Sequence, residues 1–277
     1  MINIYAANKL YRGPGKVYQN LISGLEQINE KYCINDLSKI SQKSLILQDI
    51  GEHACKSSKD SFFGPNIFVL PSDKKEVCEK YSNFIVPSKW VKDKYETFDC
   101  MKNNNIWIWP VGVDTDYWKP PKFKDFELDC FVYYKNRSLE ELKKIAKFLH
   151  TNKFSFKIVQ YGNYSEEQLK ELCEKSRFCI LLDGSESQGL AVMEMMSSNL
   201  PLYILDKDYW ESEEGKVFHA TSIPYFDERC GRAQKAFNEE TFSKFILNLP
   251  SYCPREYILE NHTLEQSARN LLSIYES

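Results

Sequence analysis

The chain has 277 residues, 43% of them hydrophobic and 27% charged, with a formal net charge of −3. That composition builds packed cores, and the length suits one large domain or two smaller ones. A pI of about 5.9 excludes the basic excess of a protein built to neutralise nucleic-acid phosphates, so no nucleic-acid partner is expected.

Strand-like and helical patterns alternate along the chain. Residues 2–6 read as a strand, followed by a Gly13-Pro14-Gly15 loop and a helix over 16–28. Val17, Leu21, Leu25 and Ile28 recur on one face of that helix. Residues 45–50 and 66–70 read as strands, the second closed by Pro71-Ser72. A strand over 84–86 ends in Pro87-Ser88, and Ser88 is the expected N-cap of a helix over 89–97. Residues 106–109 form a further strand.

The rhythm breaks at Pro110-Val111-Gly112-Val113-Asp114, and Lys119-Pro120-Pro121 follows soon after. Proline and polar residues mark a linker there. A second alternating block opens with a strand from Leu128 to Tyr133. Its first helix, 138–149, carries a capping box of Ser138 and Glu141. A strand over 156–159 runs out at Tyr161-Gly162. A helix over 165–175 has a second box, Ser165 with Gln168. Then come a buried strand over 178–182, a helix over 189–198, a strand over 202–205, and helices over 241–249 and 263–276. Strands joined by helices imply an α/β protein made of two doubly wound, Rossmann-like parallel sheets.

Nine cysteines stand at positions 33, 55, 78, 100, 130, 173, 179, 230 and 253. None is paired as C-x-x-C, and no His lies at ligand spacing from a pair, so no metal site is expected. Their odd number and strand-end positions suggest free thiols in a reducing, cytoplasmic compartment. No apolar run approaches the roughly 20 residues that span a bilayer, and residues 1–6 read as a strand rather than a leader. Peripheral contact with a membrane stays open.

Four constellations carry possible chemistry. In the Gly13-Pro14-Gly15 loop, Gly13 and Gly15 would let backbone approach a phosphate at a helix start. Lys135 and Arg137 follow the first strand of the second block, where α/β sheets bind ligands, and two cations there would clamp a diphosphate. Glu186 and Glu194 flank the Gly189 helix start. Gln188, Gly189 and Leu190 would offer backbone N–H groups to a phosphate, and Glu194 is the only charge on an otherwise apolar helix. A buried carboxylate needs partners, and a ribose supplies two hydroxyls. Finally, His53 in Asp49-Ile50-Gly51-Glu52-His53 stands after a strand, where it could contact an acceptor or assist proton transfer.

Three ordered segments together resemble the GT-B glycosyltransferases, most closely the retaining glycosyltransferase family 4. Glu186-x7-Glu194 with Gly189-Leu190, followed by Asn199-Leu200-Pro201-Leu202, is similar to that family's E-x7-E segment and the strand after it. Val86-Pro87-Ser88-Lys89-Trp90-Val91 resembles its VPS-x-W element, and Pro110 to Pro120 its interdomain linker. Asn199 stands where the family usually has Gly, and Val111 where it usually has Asn.

The resemblance implies a donor cleft between an acceptor-side domain, 1–112, and a nucleotide-sugar-binding domain, 113–262. The closing helix, 263–277, would pack back on the first. It also implies roles: Glu194 on the nucleotide ribose, Glu186 on the donor sugar, and Gln188, Gly189 and Leu190 on the diphosphate. Lys135 and Arg137 would be phosphate-binding cations, and Gly13, Gly15 and Gly162 would line the donor site. His53, Lys135, Arg137 and Glu186 would form the catalytic set. The expected reaction moves a hexosyl group from a nucleoside-diphosphate sugar to an acceptor hydroxyl on a glycan, lipid or protein-linked sugar. Retention and metal independence are implied, with no cofactor besides the donor. The alternatives are an epimerase-like or hydrolytic enzyme, a non-catalytic GT-B protein, or a DNA-modifying glucosyltransferase.

Overall fold

The computed structural model describes residues 1–6, 12–47, 56–65, 68–123 and 125–277, without the side chain of Arg12. The chain forms two compact units, Met1–Gly112 with His262–Ser277, and Val113–Asn261.

The first unit begins with β1 (Ile2–Tyr5), α1 (Arg12–Gln27) and β2 (Tyr32–Ile34). The short strands β3 (Leu45–Ile46) and β4 (Phe62–Phe63) follow. Next come α2 (Lys75–Lys80), β5 (Asn83–Val86), α3 (Lys89–Glu96) and β6 (Asn105–Ile108). The six strands form one sheet in the order β2-β1-β3-β4-β5-β6, every pair parallel.

Several sequence expectations change here. Gly13, Pro14 and Gly15 are not a loop; they are the first turn of α1. Pro fits that position because the opening N–H groups of a helix lack intrahelical partners anyway. Strand β4 is Phe62–Phe63 rather than 66–70; residues 68–70 are not strand. Ser88 stands at the N-cap of α3, yet its side chain makes no capping bond, and its Oγ is buried with no hydrogen-bond partner among the described residues. His53 and the strand end expected at 48–50 lie outside the described residues.

The second unit carries β7 (Leu128–Lys135), α4 (Leu139–Thr151), β8 (Phe156–Gln160), α5 (Glu166–Lys175) and β9 (Ser176–Asp183). It continues with α6 (Leu190–Ser197), β10 (Leu202–Leu205), the hairpin β11 (Tyr209–Glu211) and β12 (Val217–His219), and β13 (Gly231–Gln234). Helices α7 (Glu239–Leu247) and α8 (Pro254–Asn261) complete it. The five-stranded parallel sheet runs β13-β10-β9-β7-β8. Both expected capping boxes form: Ser138 Oγ accepts from Glu141 N, and Ser165 Oγ accepts from Gln168 N, each at 3.2 Å.

Side chains alternate across this sheet as strand geometry requires. Cys130, Val132, Phe178, Ile180 and Tyr203 face α4 and α7, against Leu142, Ile145, Leu149, Phe242 and Phe245. Phe131, Tyr133, Cys179, Leu181 and Ile204 face the other way, against Val192, Met193, Met195 and Met196 of α6 and the fully buried Trp118. Burial on both faces explains why these strands read as continuous apolar runs rather than alternating ones.

The segment after Gly112 is ordered structure within the second unit. Asp114 Oδ1 accepts from the N–H groups of Asp116 and Tyr117 at 3.0 and 2.9 Å, a turn that delivers Trp118 to the core. Arg255 of α8 then pins it. Its guanidinium donates to the carbonyls of Trp118, Ser197 and Thr115 at 2.8, 2.7 and 2.9 Å. Asn199 follows α6 at φ +59°, in the left-handed region that Asn tolerates, and its Oδ1 accepts from Arg255 N at 3.2 Å. That accounts for an Asn where the resembling family has Gly.

The chain then returns to the first unit as α9 (Leu264–Glu276), capped by Thr263, and packs on α1. A methyl group on Gly24 of α1 would sit 2.5 Å from Leu264 O. Trp109 Nε1 donates to Ser267 O at 2.9 Å, and Ser267 Oγ donates to Pro110 O at 2.9 Å. No helix among the described residues is long and apolar enough to cross a membrane.

Candidate functional site

In the second sheet, β7 leads to β8 on one side, and β9 returns to β7's other side. The strand order therefore reverses between β7 and β9, and open α/β sheets bind ligands outside the carboxyl ends of such strands. The last residues of the two strands, Lys135 and Asp183, are register partners. They extend the row Phe131–Tyr133 and Cys179–Leu181, so both side chains emerge on the α6 face of the sheet.

Lys135 makes a short ion pair with Glu186, and the two side chains are 15% and 14% exposed. The Lys135 ammonium also stands 4.3 Å from the centre of the Tyr161 ring, a cation–π contact. Tyr161 is held by its N–H, which donates to Tyr134 O at 3.0 Å, and by the turn at Gly162, φ +85°. Burial pulls the Lys135 ammonium below its ordinary pKa, and the nearby Asp183 carboxyl opposes that.

Asp183 is 1% exposed, and neither carboxyl oxygen has a hydrogen-bond partner among the described residues. The Gly184 N–H beside it donates to Lys135 O at 2.8 Å. Burial raises this carboxyl to about 7, against the lowering influence of Lys135, the Gly184 N–H and Arg137. The sequence reading missed it. The available signal was an acidic residue closing the apolar run Phe178 to Leu182. The strand ends are tightly apposed: a methyl on Gly184 would lie 2.9 Å from Asn136 Cβ, so only Gly fits.

Arg137 departs from its expected role. Its Nη1 donates to Asp183 O at 3.1 Å and Leu205 O at 2.7 Å, and its Nε donates to Glu141 Oε2 at 3.1 Å. Nη2 pairs closely with the other Glu141 oxygen, and the side chain is 8% exposed. The guanidinium thus ties the ends of β7, β9 and β10 to α4. Lys135, two residues earlier, points into the site instead.

The loop bearing Glu186 is fixed from outside the sheet. Glu186 N donates to Thr221 O at 2.9 Å, and Ser222 Oγ donates to Asp183 O at 3.1 Å. Both Thr221 and Ser222 are in turn held by Asp206 Oδ1, at 2.9 and 2.7 Å. Gly189 is the N-cap of α6 at φ +77° and ψ +49°. That left-handed turn swings the chain from the Glu186 loop into the helix. The opening N–H groups of α6 start at Leu190, and a helix N-terminus favours negative charge. Gln188 is buried and its Nε2 lies 3.8 Å from Met193 Sδ, so its side chain packs on the helix it precedes.

Glu194 is 6% exposed, on the buried run Val192–Ser197. It neighbours Tyr164, whose hydroxyl is 2.9 Å from the Tyr133 hydroxyl. Burial pushes Tyr164 up to about 12, and the negative charge of Glu194 adds to that. Glu194 therefore belongs to the same face of the sheet as Lys135 and Asp183. Gly13 and Gly15 belong to the first unit. Among the described residues no three His, Cys, Asp or Glu side chains cluster so as to hold a metal ion.

Neither a protein-family model nor a curated protein matches the chain in sequence. Solved structures do resemble it. AviGT4, a glycosyltransferase involved in avilamycin A biosynthesis, is 11% identical over 99% of this chain and 96% of its own, with a TM-score of 0.63. A glycosyltransferase from Rickettsia africae ESF-5 is 10% identical over 99% and 97%, with a TM-score of 0.58. Sucrose-phosphate synthase from Thermosynechococcus elongatus is 12% identical over 98% and 81%, with a TM-score of 0.55. Identities this low carry the fold alone: two parallel α/β sheets of the kind found in GT-B glycosyltransferases.

Proposed function

We propose that this chain is a glycosyltransferase whose second unit binds a nucleoside-diphosphate sugar. The observation that carries the reading is the meeting of Lys135 and Glu186 at the strand-order reversal, beside the N-terminus of α6. A cation, a carboxylate and the opening N–H groups of a helix match a donor's phosphates and sugar hydroxyls. The likeness of the fold to solved glycosyltransferases supports it.

In this reading the sugar C1–O bond to the β-phosphate breaks and negative charge grows on the phosphate. Lys135 and the opening amides of α6 stabilise that charge, as donors aimed at developing charge do elsewhere. An acceptor hydroxyl oxygen bonds to C1 from the face the phosphate leaves, and its proton passes to the departing phosphate, so the anomeric configuration is retained. Glu186 holds the sugar's hydroxyls and Glu194 those of the nucleotide ribose. Arg137 acts as a positioning residue that fixes the strand ends. Acceptor recognition falls to the first unit, with His53 the residue to examine. The charge is carried by protein groups, so EDTA should leave the activity unchanged.

The test is thermal stabilisation of the full chain by a panel of nucleotide sugars. A ligand at 100 times its Kd adds about 2.7 kcal/mol, a clear shift in Tm. Glu194→Ala should weaken binding of the responding nucleotide by about tenfold, the scale of one lost hydrogen bond to a charged group. Unchanged affinity in a folded Glu194→Ala protein would remove the ribose role, and no response to any nucleotide sugar would remove the donor site.

A further inference from the structure

Asp183 closes β9 on the same face of the sheet as Lys135, its register partner at the end of β7. Its carboxyl is 1% exposed. The donors that surround it are aimed elsewhere. Gly184 N donates to Lys135 O, while Ser222 Oγ and Arg137 Nη1 donate to the Asp183 backbone carbonyl rather than to its side chain. The Tyr133 and Tyr164 hydroxyls bond to each other, and the Lys135 ammonium is drawn to Glu186 and the Tyr161 ring. Both carboxyl oxygens are thus left without a hydrogen bond among the described residues.

Burial without a donor or a touching cation disfavours the charged form of a carboxyl, and Asp183 accordingly titrates at about 7. A diphosphate arriving on Lys135 and the start of α6 adds negative charge on the same face. Like charge disfavours ionisation further, so the donor-bound site holds the Asp183 proton to higher pH than the free site. Well below pH 7 the carboxyl is neutral in both states and binding moves no proton. Above pH 7 the free site is ionised, and each donor bound draws a proton from solution onto Asp183. Affinity for the donor therefore falls as pH rises through 7.

We propose that Asp183 couples donor binding to proton uptake: the site accepts a nucleoside-diphosphate sugar with this carboxyl protonated and resists it with the carboxyl ionised. The proposal rests on the donor-site reading above. Asp183 is then a positioning residue, which sets the field in which Lys135 meets the phosphates. Other titratable groups share this face: Tyr133 and Lys135 of β7, Tyr164 ahead of α5, Glu186 in the loop after β9 and Glu194 of α6. Arg137 stays a cation throughout. Burial raises both tyrosines, Tyr164 to about 12, so neither loses its proton near 7. Burial lowers Lys135, and loss of its charge would weaken binding in the same direction. Removing the Asp183 proton alone tells the two apart.

The experiment is calorimetric titration of the full chain at pH 6 and pH 8. The probe is the nucleotide sugar that stabilises it, drawn from UDP-glucose, UDP-N-acetylglucosamine, GDP-mannose and ADP-glucose. Both phosphates of these probes are diesters, so they lack the second phosphate ionisation at about 6 that would mask the protein's own. Titrations in HEPES and in Tris, which differ in ionisation enthalpy, give the protons taken up. The wild-type chain should bind about five- to tenfold more tightly at pH 6 than at pH 8, taking up about half a proton or more at pH 8 and almost none at pH 6. Asp183→Asn mimics the protonated carboxyl. It should match the wild type at pH 6, bind about five- to tenfold more tightly than the wild type at pH 8, and take up almost no proton. Wild-type affinity that is level between the two pH values overturns the coupling without any variant. So does a folded Asp183→Asn protein that keeps the wild-type fall in affinity, which moves the titration to another group such as Lys135. Both results leave the donor site standing. A wild-type chain that binds no nucleotide sugar fails differently, since it removes the site itself.

Discussion

The two parallel sheets follow one plan and end differently. Each reverses its strand order between two neighbours, β1 and β3 in the first sheet and β7 and β9 in the second. At the first reversal the described strand-end residues are Tyr5, Ala6, Ile46 and Leu47, all buried. They are bonded into the fold: Leu47 N donates to Tyr5 O at 2.9 Å, Tyr5 Oη to Asp36 O at 2.6 Å, and Ala6 N to Asn35 Oδ1 at 3.1 Å. At the second reversal the strands themselves end in charge, Lys135 beside Asp183. In the first unit, then, the described strand ends at the reversal carry no charge. In the second, the strand ends carry it, where the sheet can hold side chains rigidly. A charge held that deeply has a cost, and that cost is the most accessible way to break the comparison.

The largest expected effect is on stability. Asp183 has a pKa near 7 in the folded chain against 3.8 for a free carboxyl. Between pH 4 and 7 Asp183 therefore holds its proton in the folded chain and not in the unfolded one, and its contribution to stability falls as pH rises. Above pH 7 the whole cost is present, up to about 4 kcal/mol at 1.36 kcal/mol per pKa unit. Asp183→Asn has no proton to lose. It should be more stable than wild type at pH 8, with the gap closing by pH 4. Urea unfolding at pH 5 and pH 8 checks this. Parallel pH profiles for the two proteins would mean that Asp183 is not the strained group.

Next come the two cations of the same strand end, which the sequence treats as a pair and the structure separates. Lys135→Ala should lower turnover by about a hundredfold, the scale of losing one donor aimed at developing charge, a larger effect than its effect on the fold. Arg137→Ala should do the reverse. It strips donors from two carbonyls and from Glu141 in a buried setting, at a cost of about 2–3 kcal/mol. Arg137→Lys should rescue little, because an ammonium lacks the planar fork that reaches three partners. If Arg137→Ala keeps its Tm and loses turnover, the positioning role is wrong and the guanidinium serves the ligand.

The contrast between these cations marks what was legible in the sequence. Apolar runs, capping boxes and the Glu186–Glu194 spacing announce the strands and helices of the second unit, because both sheet faces are buried and every element repeats its period. Two-residue strands such as Phe62–Phe63 have no period to show, so β4 was misplaced. Lys135 and Arg137 look alike in sequence, since nothing local says that the carbonyls of Asp183 and Leu205, 46 and 68 residues onward, will capture one and not the other. The reach of Arg255 back to Thr115, across 140 positions, was invisible for the same reason. Asp183 was overlooked because its meaning lies in what is absent around it, and only coordinates show an orphaned carboxyl.

The smallest effect compares the helix that starts near each reversal. Gly13 lies in the first turn of α1, within regular helix, and a methyl group there meets nothing within 4 Å among the described residues. Gly189 caps α6 at φ +77°; a methyl there would have ordinary contacts, 3.7 Å from Glu186 Cβ and Val192 Cβ, but the backbone angle is one that L-residues resist. Space alone would let Ala into both, but Gly13 stands before Pro14, whose ring disfavours helical backbone for a residue that carries a Cβ. Gly13→Ala should therefore bring no stabilisation, and Gly189→Ala should destabilise by about 1 kcal/mol. Chemical denaturation resolves that loss. A Gly189→Ala protein as stable as wild type would mean that α6 does not begin in a left-handed turn, and the amides assigned to the phosphates would then point elsewhere.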